Sequence, residues 1–339
     1  MSVAWIGVMA GLLTWFFTGV LRRYAIAKSL IDIPNARSSH TVATPRGGGV
    51  AMVVVFLVSQ LLLFRAGLLS ASVLLALTGS GVVIAITGFL DDHQHIAARW
   101  RLLIHFGASA WGLYWLGGLP SLSFFGWDIN LGWLGHGLGL FYLVWLLNLY
   151  NFMDGIDGIA SIEAVTVCLG GALLTMQGYE LSGQGWELVL LAIIVSGFLI
   201  WNFPPAKIFM GDAGSGFLGM VLGLFSIQAG WMASQLFWSW LILLGVFIVD
   251  ATVTLFRRLL CHEKLHEAHC SHAYQNASRI YLAHKPVSLA VAAINLCWLI
   301  PIALWVGLGK FDGILGLLLA YLPLVLLAVY FKAGIRNIG

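Results

Sequence analysis

Two pairs of aspartates stand in short motifs that suit the binding of a divalent cation. Asp91 and Asp92 are adjacent in G-F-L-D-D-H-Q-H, and Asp154 and Asp157 lie in the doubled D-G turn of N-F-M-D-G-I-D-G. Neighbouring carboxylates repel each other and favour a shared cation. Magnesium is commonly bound by one or two carboxylates together with substrate phosphates. The motifs therefore indicate metal-assisted phosphate chemistry, with an acidic helix end and a plain loop as the simpler alternatives.

A fifth aspartate, Asp212, follows a proline pair in W-N-F-P-P-A-K-I-F-M-G-D-A-G-S-G, which also contains Asn202 and Lys207. It precedes G-S-G at the predicted start of a helix, where free N–H groups and the helix dipole suit a phosphate. No G-K-S or G-K-T follows, so this is not a Walker loop. Arg46, in T-P-R-G-G-G, stands beside glycines that permit close approach to an anion or form a flexible hinge.

A histidine-rich segment, R-R-L-L-C-H-E-K-L-H-E-A-H-C-S-H, occupies residues 257–272. Structural zinc sites need a closed tetrahedral set of Cys and His ligands, and this segment has H-x-x-H but no C-x-x-C. We expect its His, Arg and Lys side chains to bind phosphate groups instead. Zinc binding and a merely solvated loop are the alternatives.

The composition indicates that membrane helices must position these motifs. Hydrophobic residues make up 60% of the 339-residue chain, charged residues 9%, and the mean hydropathy is +0.94. A soluble domain has about a quarter charged residues. We predict an all-α integral membrane protein forming a single polytopic domain over 1–339, with 257–286 as a cytoplasmic substrate loop. Apolar runs of spanning length predict eleven transmembrane helices, at about 3–21, 47–66, 68–90, 102–118, 134–153, 159–178, 187–203, 213–229, 231–255, 287–307 and 311–331.

The basic residues test this topology. With the N-terminus outside, six segments face the cytoplasm, at about 22–46, 91–101, 154–158, 204–212, 256–286 and 332–339. They contain 15 of the 17 lysines and arginines, and only Arg65 and Lys310 fall on the other side. Cytoplasmic loops of membrane proteins carry such an excess. The same segments contain all five motif aspartates, so the topology predicts one site at the cytoplasmic face.

Several other classes of protein are disfavoured. A net charge of +3 is too small to indicate nucleic-acid binding, although it suits an anionic lipid surface. The four cysteines form no disulfide framework. A transporter would place its polar site near the bilayer midplane, whereas these motifs lie at helix ends. A structural scaffold gives no reason for the Asp-Gly motifs.

The order of the motifs resembles that of the polyprenyl-phosphate N-acetylhexosamine-1-phosphate transferases. The order is D-D, then N-x-x-N-x-x-D-G-x-D-G from Asn148, then N-F-P-P-A-K-I-F-M-G-D-A-G-S, then the His-rich segment, and the motifs extend over roughly 40–275. The resemblance implies transfer of a sugar-1-phosphate from a UDP-N-acetyl sugar to undecaprenyl phosphate, with release of UMP. It also implies Mg²⁺ as cofactor, with Mn²⁺ as a substitute.

The resemblance also implies roles for individual residues. Asp91 and Asp92 match the paired aspartates near the lipid phosphate and the metal, and Asp212 matches a metal-binding aspartate. Catalytic roles are expected for Asp91, Asp92, Asp154 and Asp157, and metal binding for Asp212 and Asp91. Substrate binding is expected for Asn148, Asn151, Asn202, Lys207, Arg46, His269 and His272.

Departures from the family pattern narrow the expected branch. The phospho-MurNAc-pentapeptide transferases have three adjacent histidines, whereas this chain has E-A-H-C-S-H, and His95 stands where they have a lysine. The pattern E-A-H-x-S-H-A-Y-Q looks more like enzymes that initiate O-antigen synthesis in lipopolysaccharide on N-acetylfucosamine, N-acetylglucosamine or a similar sugar. The expected location is the bacterial inner membrane, among membrane lipids, with a homodimer compatible with the resemblance. The alternatives are the peptidoglycan enzyme and a sugar-nucleotide transporter.

Overall fold

The computed structural model describes residues 3–34, 39–94, 96–176, 183–263 and 270–335. Four short strands in these ranges form two antiparallel pairs, β1 (Ile31–Asp32) with β2 (Thr44–Pro45) and β3 (Leu122–Phe124) with β4 (Trp127–Ile129). The helices are α1 (Val3–Ala27), α2 (Gly49–Arg65), α3 (Ala71–His93), α4 (Ala98–Trp115), α5 (Gly132–Met153), α6 (Ile159–Met176), α7 (Gly183–Asn202), α8 (Asp212–Met232), α9 (Ser234–Leu243), α10 (Gly245–Leu260), α11 (Ala273–Ile280), α12 (His284–Ile294), α13 (Ile300–Gly307) and α14 (Gly313–Tyr330).

Most of these helices can span a membrane. Eight helical stretches in the described ranges are long and apolar enough, and α9 with α10 would make a ninth span, bent by 70°. The apolar helix α2 has 17 residues, about 25 Å, which is shorter than the hydrocarbon thickness of about 30 Å. Nine of the eleven predicted segments coincide with one helix each, and the other two, 231–255 and 287–307, coincide with the interrupted pairs α9–α10 and α12–α13, so the all-α membrane fold is confirmed. The number eleven stays a prediction.

Helix α8 forms the centre of the bundle and is almost completely buried. It packs against α2, α3, α5 and α9. Close packing on α5 requires a glycine, since a Cβ at Gly219 would lie 2.7 Å from the Cα of Leu147. Small residues commonly allow this approach between membrane helices. The central position of α8 places Asp212, its first residue, among the ends of the surrounding helices.

The second half of the bundle contains two interrupted helices. The chain bends between α9 and α10, and a π-helical turn at Asn295–Leu299 joins α12 to α13. Such turns leave backbone groups free for other contacts and often mark functional regions. Asn295 donates from Nδ2 to Oε2 of the buried Glu163 at 2.7 Å, which ties this turn to α6.

All six segments predicted to share one face meet at one end of the bundle. We call this the carboxylate end; it is where α3 and α5 finish and α8 begins. The contacts that join the segments there are His284 to Ser39, His284 to Asp157, Asp157 to Ala206, Arg46 to Asp92, Arg101 to Asp212 and Gly334 to Ser271. The β3–β4 hairpin lies at the opposite end, between α4 and α5.

Candidate active site

A cavity of about 260 Å³ opens at the carboxylate end. Seven of the residues predicted from the sequence line it, namely Arg46, Asp92, Asn151, Asp154, Asp157, Asn202 and Asp212. A smaller cavity of about 40 Å³ shares Asn151 and Asp212 with it and is also lined by Asp91 and Asn148. The fold therefore gathers nine of the twelve predicted site residues around two adjoining cavities.

Close packing of α3 on α8 brings three aspartates together. A Cβ at Gly88 would collide with the backbone of Asp212, so only glycine permits this approach. The carboxylate of Asp92 lies against the first turn of α8, where a Cβ at Gly211 would come within 2.6 Å of its Oδ2. The positive end of the helix dipole favours a carboxylate at this position. Asp91 and Asp212 lie within hydrogen-bonding reach of each other.

Two arginines offset part of this negative charge. Arg101 forms an ion pair with Asp91, and its Nη1 lies 3.6 Å from Oδ2 of Asp212. Arg46 Nη1 lies 3.8 Å from Oδ1 of Asp92, and Arg46 Nη2 donates to the backbone carbonyl oxygen of Asp92. Both arginine side chains are more than a third exposed, although the Nε of Arg101 is buried and has no hydrogen-bond partner among the described residues.

The T-P-R-G-G-G segment is held against the start of α8. Phe209 donates its backbone N–H to the carbonyl of Pro45 at 2.8 Å, and Gly49 donates to the carbonyl of Met210 at 2.9 Å. The last of the three glycines serves helix packing, since a Cβ at Gly49 would lie 2.6 Å from the Cα of Gly214. Contact between α2 and α8 therefore accounts for this glycine without an anion.

The doubled D-G turn gives its two aspartates different surroundings. Asp157 is held by the backbone N–H of Ala206, 2.9 Å from its Oδ2, and by His284 Nδ1, 3.1 Å from its Oδ1. Asp154, just after α5, has no hydrogen-bond donor on its carboxylate within the described part of the chain. Burial raises the pKa of Asp154 well above its usual range, and the charge of Asp212 adds to this. Asp157 is thus suited to holding the turn, and Asp154 is open to a ligand.

The predicted asparagine and lysine residues also have different surroundings. Asn202 is buried, accepts from the N–H of Gly158 at 3.1 Å and donates to the carbonyl of Ile208 at 3.1 Å, so it joins the D-G turn to the segment before α8. Asn148 donates to a carbonyl of its own helix. Lys207 is exposed beside the Trp201 ring, 5.6 Å from its centroid, and does not line either cavity.

The predicted substrate loop of 257–286 is partly helical, since it contains the end of α10, all of α11 and the start of α12. His269 lies outside the described residues, as does His95. His272 is buried, and its Nδ1 lies 3.3 Å from Oδ1 of Asp250, away from both cavities. The contact of His272 with Asp250 therefore helps to hold the start of α11 in place.

Asp250 is the centre of that arrangement. Besides His272, its carboxylate accepts the backbone N–H groups of Ala273 and Tyr274, each at 2.9 Å, and so caps the start of α11. Tyr274 in turn donates its hydroxyl to the carbonyl of Phe152 at 2.9 Å, two residues before Asp154. Asp250 thereby fixes α11 beside the D-G turn.

Sequence reasoning missed four residues that belong to the site. His40, Gln275 and His284 line the larger cavity, and Arg101 lines the smaller one. The Nε2 of His40 is buried and has no hydrogen-bond partner within the described ranges. Arg101 lies in the segment 91–101, which was predicted to face the site, so its position in the sequence could have indicated a role there. The contact of His284 with Asp157 spans 127 residues of sequence, and no local pattern indicates it.

The residues of the larger cavity fit a magnesium ion. Oδ2 of Asp92 is buried without a hydrogen-bond partner in the described chain, and Asp154 and Asp212 add oxygen donors. No three His, Cys, Asp or Glu side chains among the described residues form a ready-made ligand set. Magnesium does not require one, because it retains waters and uses substrate phosphates as ligands. Asp91 is paired with Arg101, which leaves Asp212 as the better placed of the two predicted ligands.

The chain is similar to several known proteins. Residues 74–230 match the model of glycosyl transferase family 4. The probable undecaprenyl-phosphate N-acetylglucosaminyl 1-phosphate transferase of Bacillus subtilis (strain 168) is 30% identical over 284 residues, which cover 82% of this chain and 78% of the relative. The decaprenyl-phosphate N-acetylglucosaminephosphotransferase of Mycobacterium leprae (strain TN) is 28% identical, covering 92% and 83%. The phospho-N-acetylmuramoyl-pentapeptide-transferase of Moorella thermoacetica is 34% identical, covering 55% and 61%.

The helical membrane fold and its cavity of aspartates and arginines define an integral membrane enzyme suited to phosphate chemistry. The similarities define it further. The chain belongs to glycosyl transferase family 4, the polyprenyl-phosphate N-acetylhexosamine-1-phosphate transferases, and it is a phosphoglycosyltransferase. The family expected from the motifs is thereby confirmed.

Proposed function

We propose that the protein transfers N-acetylglucosamine-1-phosphate from UDP-N-acetylglucosamine to undecaprenyl phosphate and releases UMP. The observation that carries the proposal is the convergence of Asp92, Asp154 and Asp212 with Arg46 in one cavity at the end of a membrane bundle. There, a lipid phosphate at the membrane surface and a nucleotide from solution can meet. The names of the relatives with the broadest coverage favour N-acetylglucosamine over N-acetylfucosamine.

In the proposed reaction, an oxygen of the lipid phosphate attacks the β-phosphorus of the UDP-sugar. The new phosphorus–oxygen bond joins lipid and sugar phosphate, and the bond to the α-phosphate oxygen breaks, so UMP leaves with the electron pair. The lipid phosphate is mostly ionised at neutral pH, so a strong base is not needed. Positioning and charge neutralisation dominate such transfers.

The cavity residues have distinct parts in this proposal. Asp212, with Asp92 or Asp154, would hold Mg²⁺, or Mn²⁺ in its place. The metal would neutralise charge that develops on the pyrophosphate. Arg46, more than a third exposed, is suited to bind a phosphate, and the unpartnered Nε2 of His40 supplies a second polar contact. Asp91 would act through Arg101, whose guanidinium it orients.

The biological setting is also part of the proposal. We place the protein in the bacterial inner membrane with the carboxylate end in the cytoplasm, because 15 of its 17 basic residues belong to the predicted cytoplasmic segments. The product would begin O-antigen or a related surface polysaccharide. A homodimer is compatible with the proposal and is not required by it.

The test is an acceptor assay with the purified full-length protein. We expect UMP release from UDP-N-acetylglucosamine only when undecaprenyl phosphate and Mg²⁺ are both present. Asp212→Asn should abolish release, whereas Asp128→Asn, the same change at the exposed far end of the bundle, should not. Unchanged turnover in Asp212→Asn would refute the metal assignment.

The same assay separates the alternatives. UDP-MurNAc-pentapeptide as the preferred donor would identify the reaction for which the relatives covering about half of this chain are named, phospho-N-acetylmuramoyl-pentapeptide transfer. Movement of UDP-sugar into vesicles that lack any lipid acceptor would identify a transporter. Either result would overturn the proposed substrate or reaction.

A further inference from the structure

Another cavity, with both polar and apolar lining, lies at the opposite end of the bundle from the carboxylate end. It has a volume of about 220 Å³ and is lined by the chain between α2 and α3, by α7 and by the last turns of α8. Its polar lining residues are Ser70, Gln184, Glu187 and Gln228. Gln228 lies 16 residues after Asp212 in α8, which corresponds to about 24 Å along the helix. The cavity is therefore separate from the active site.

Glu187 is the unusual residue of this cavity. It is completely buried, and neither carboxylate oxygen has a hydrogen-bond partner in the described chain. The described ranges contain no ion pair to it, and Arg65, the basic residue nearest to Ser70 in sequence, is exposed. A buried carboxylate without a positively charged partner is strongly disfavoured, which indicates that a cation or a proton accompanies it.

The neighbouring amides present oxygens as well. Gln184 donates its Nε2 to the carbonyl of Phe225 at 2.8 Å, so its amide orientation is fixed and its Oε1 is left buried without a partner. The Gln228 amide lies within hydrogen-bonding reach of the Glu187 carboxylate, and its own Oε1 is buried without a partner in the described chain. Four acceptor oxygens from three side chains thus lie together, two from Glu187 and one from each glutamine, and the Gln228 amide N–H is the described side-chain donor within reach of the carboxylate. Carboxylate and amide oxygens are the ligands of hard cations.

The charge of the cluster indicates which cation it would take. Glu187 supplies a single negative charge and the glutamines none, so a monovalent ion leaves the occupied site neutral. Neutrality matters within a membrane protein, where uncompensated charge is expensive. The carbonyl end of α8, at Gln228, adds a favourable dipole, while the start of α7 stabilises the carboxylate.

We propose that Glu187, Gln184 and Gln228 form a binding site for a monovalent metal cation such as Na⁺, which stabilises the packing of α7 on α8. The site is independent of sugar-phosphate transfer. It links the start of α3, the start of α7 and the end of α8, so occupation should strengthen the bundle at the end remote from the active site.

The test is thermal unfolding of the purified full-length protein in detergent, without substrates or divalent ions. NaCl should raise the apparent melting temperature by several degrees over choline chloride of equal concentration. Glu187→Gln should remove the difference between the two salts, and it should be at least as stable as the wild type in choline chloride. Gln228→Leu should weaken the sodium response several-fold while leaving the carboxylate in place. Asp212→Asn, which alters only the active site, should keep the full response.

Binding of radioactive sodium measures the same site directly. One ion per chain should bind to the wild type and to Asp212→Asn, and none to Glu187→Gln. An equal melting temperature in both salts, or a sodium response that persists in Glu187→Gln, would overturn the proposal. Glu187 would then be protonated, and the cavity would hold water instead of a cation. A stronger response to CaCl₂ that depends on Glu187 would overturn the monovalent assignment.

Discussion

Replacement of Arg101 by methionine should lower the magnesium requirement of the enzyme. The Nη1 of Arg101 lies 3.6 Å from Oδ2 of Asp212, so its positive charge competes with a metal ion for that carboxylate. Two unit charges 4 Å apart interact by about 4 kcal/mol at an effective dielectric constant near 20. Because Arg101 is 35% exposed, solvent screening reduces this, and we expect about 1–2 kcal/mol. The Mg²⁺ concentration for half-maximal activity should therefore fall about 5–30-fold.

The same replacement should destabilise the protein when no metal is present. Asp91 is 8% exposed and would lose its cationic partner, keeping only the N–H of Ile96 at 2.8 Å. A lost hydrogen bond to a charged group costs about 1.5–3 kcal/mol. Adding Asp91→Asn to Arg101→Met should restore most of that loss, because the two residues are coupled.

The assay is a magnesium titration of UMP release, paired with unfolding in EDTA buffer. Arg99→Met is the matched control, since Arg99 is an exposed arginine in the same helix turn, 5.6 Å from the ring of Trp100. It should change neither measurement appreciably. A magnesium requirement that is unchanged or higher in Arg101→Met would refute the assignment of the metal to Asp212.

Three further predictions concern the parts that position the site. Gly88→Ala should abolish most activity and destabilise the bundle, because its Cβ would collide with the backbone of Asp212, whereas Gly107→Ala, with open space around its Cβ, should be tolerated; UMP release and melting temperature measure both. Asp250→Ala should reduce kcat and expose α11 to hydrogen exchange, because four groups lose their shared partner, including the backbone N–H groups of Ala273 and Tyr274. Wild-type exchange at residues 273–280 would refute the capping role. In EDTA, the free energy of unfolding of the wild type should fall as pH rises from the ordinary pKa of an aspartate, about 3.9, through the raised pKa of Asp154 in the folded protein. Over this range the folded protein holds a proton on Asp154 that the unfolded chain has already lost. Asp154→Asn should flatten that dependence, and an equal slope in both proteins would contradict its assignment to Asp154.

Much of the architecture could be predicted from the sequence because membrane burial leaves a strong signal. Spanning helices must be apolar over their whole length, so even the two Gly-rich segments at 159–178 and 213–229 could be predicted as spans. They correspond to α6 and α8 in the structure. The alternation of spans also brought all motif aspartates to one side. Their contacts at the carboxylate end follow from that alternation.

The division of roles within the site could not be predicted from the sequence. Asp157 and Asp154 stand in identical D-G pairs, yet only Asp157 meets His284 and the N–H of Ala206. His272 resembled a phosphate ligand, but Asp250 holds it below the surface. These differences depend on contacts between residues far apart in the chain. Local spacing carries no information about them.

The most direct test of the central claim follows the phosphorus between sugar and nucleotide. UDP-N-acetylglucosamine labelled at its β-phosphorus is incubated with the purified protein, undecaprenyl phosphate and Mg²⁺, and the lipid and nucleotide products are separated. Transfer of a sugar-1-phosphate predicts that the label enters the lipid fraction and that unlabelled UMP is released. Labelled UDP with an unlabelled glycolipid would show transfer of the sugar alone and would contradict the account.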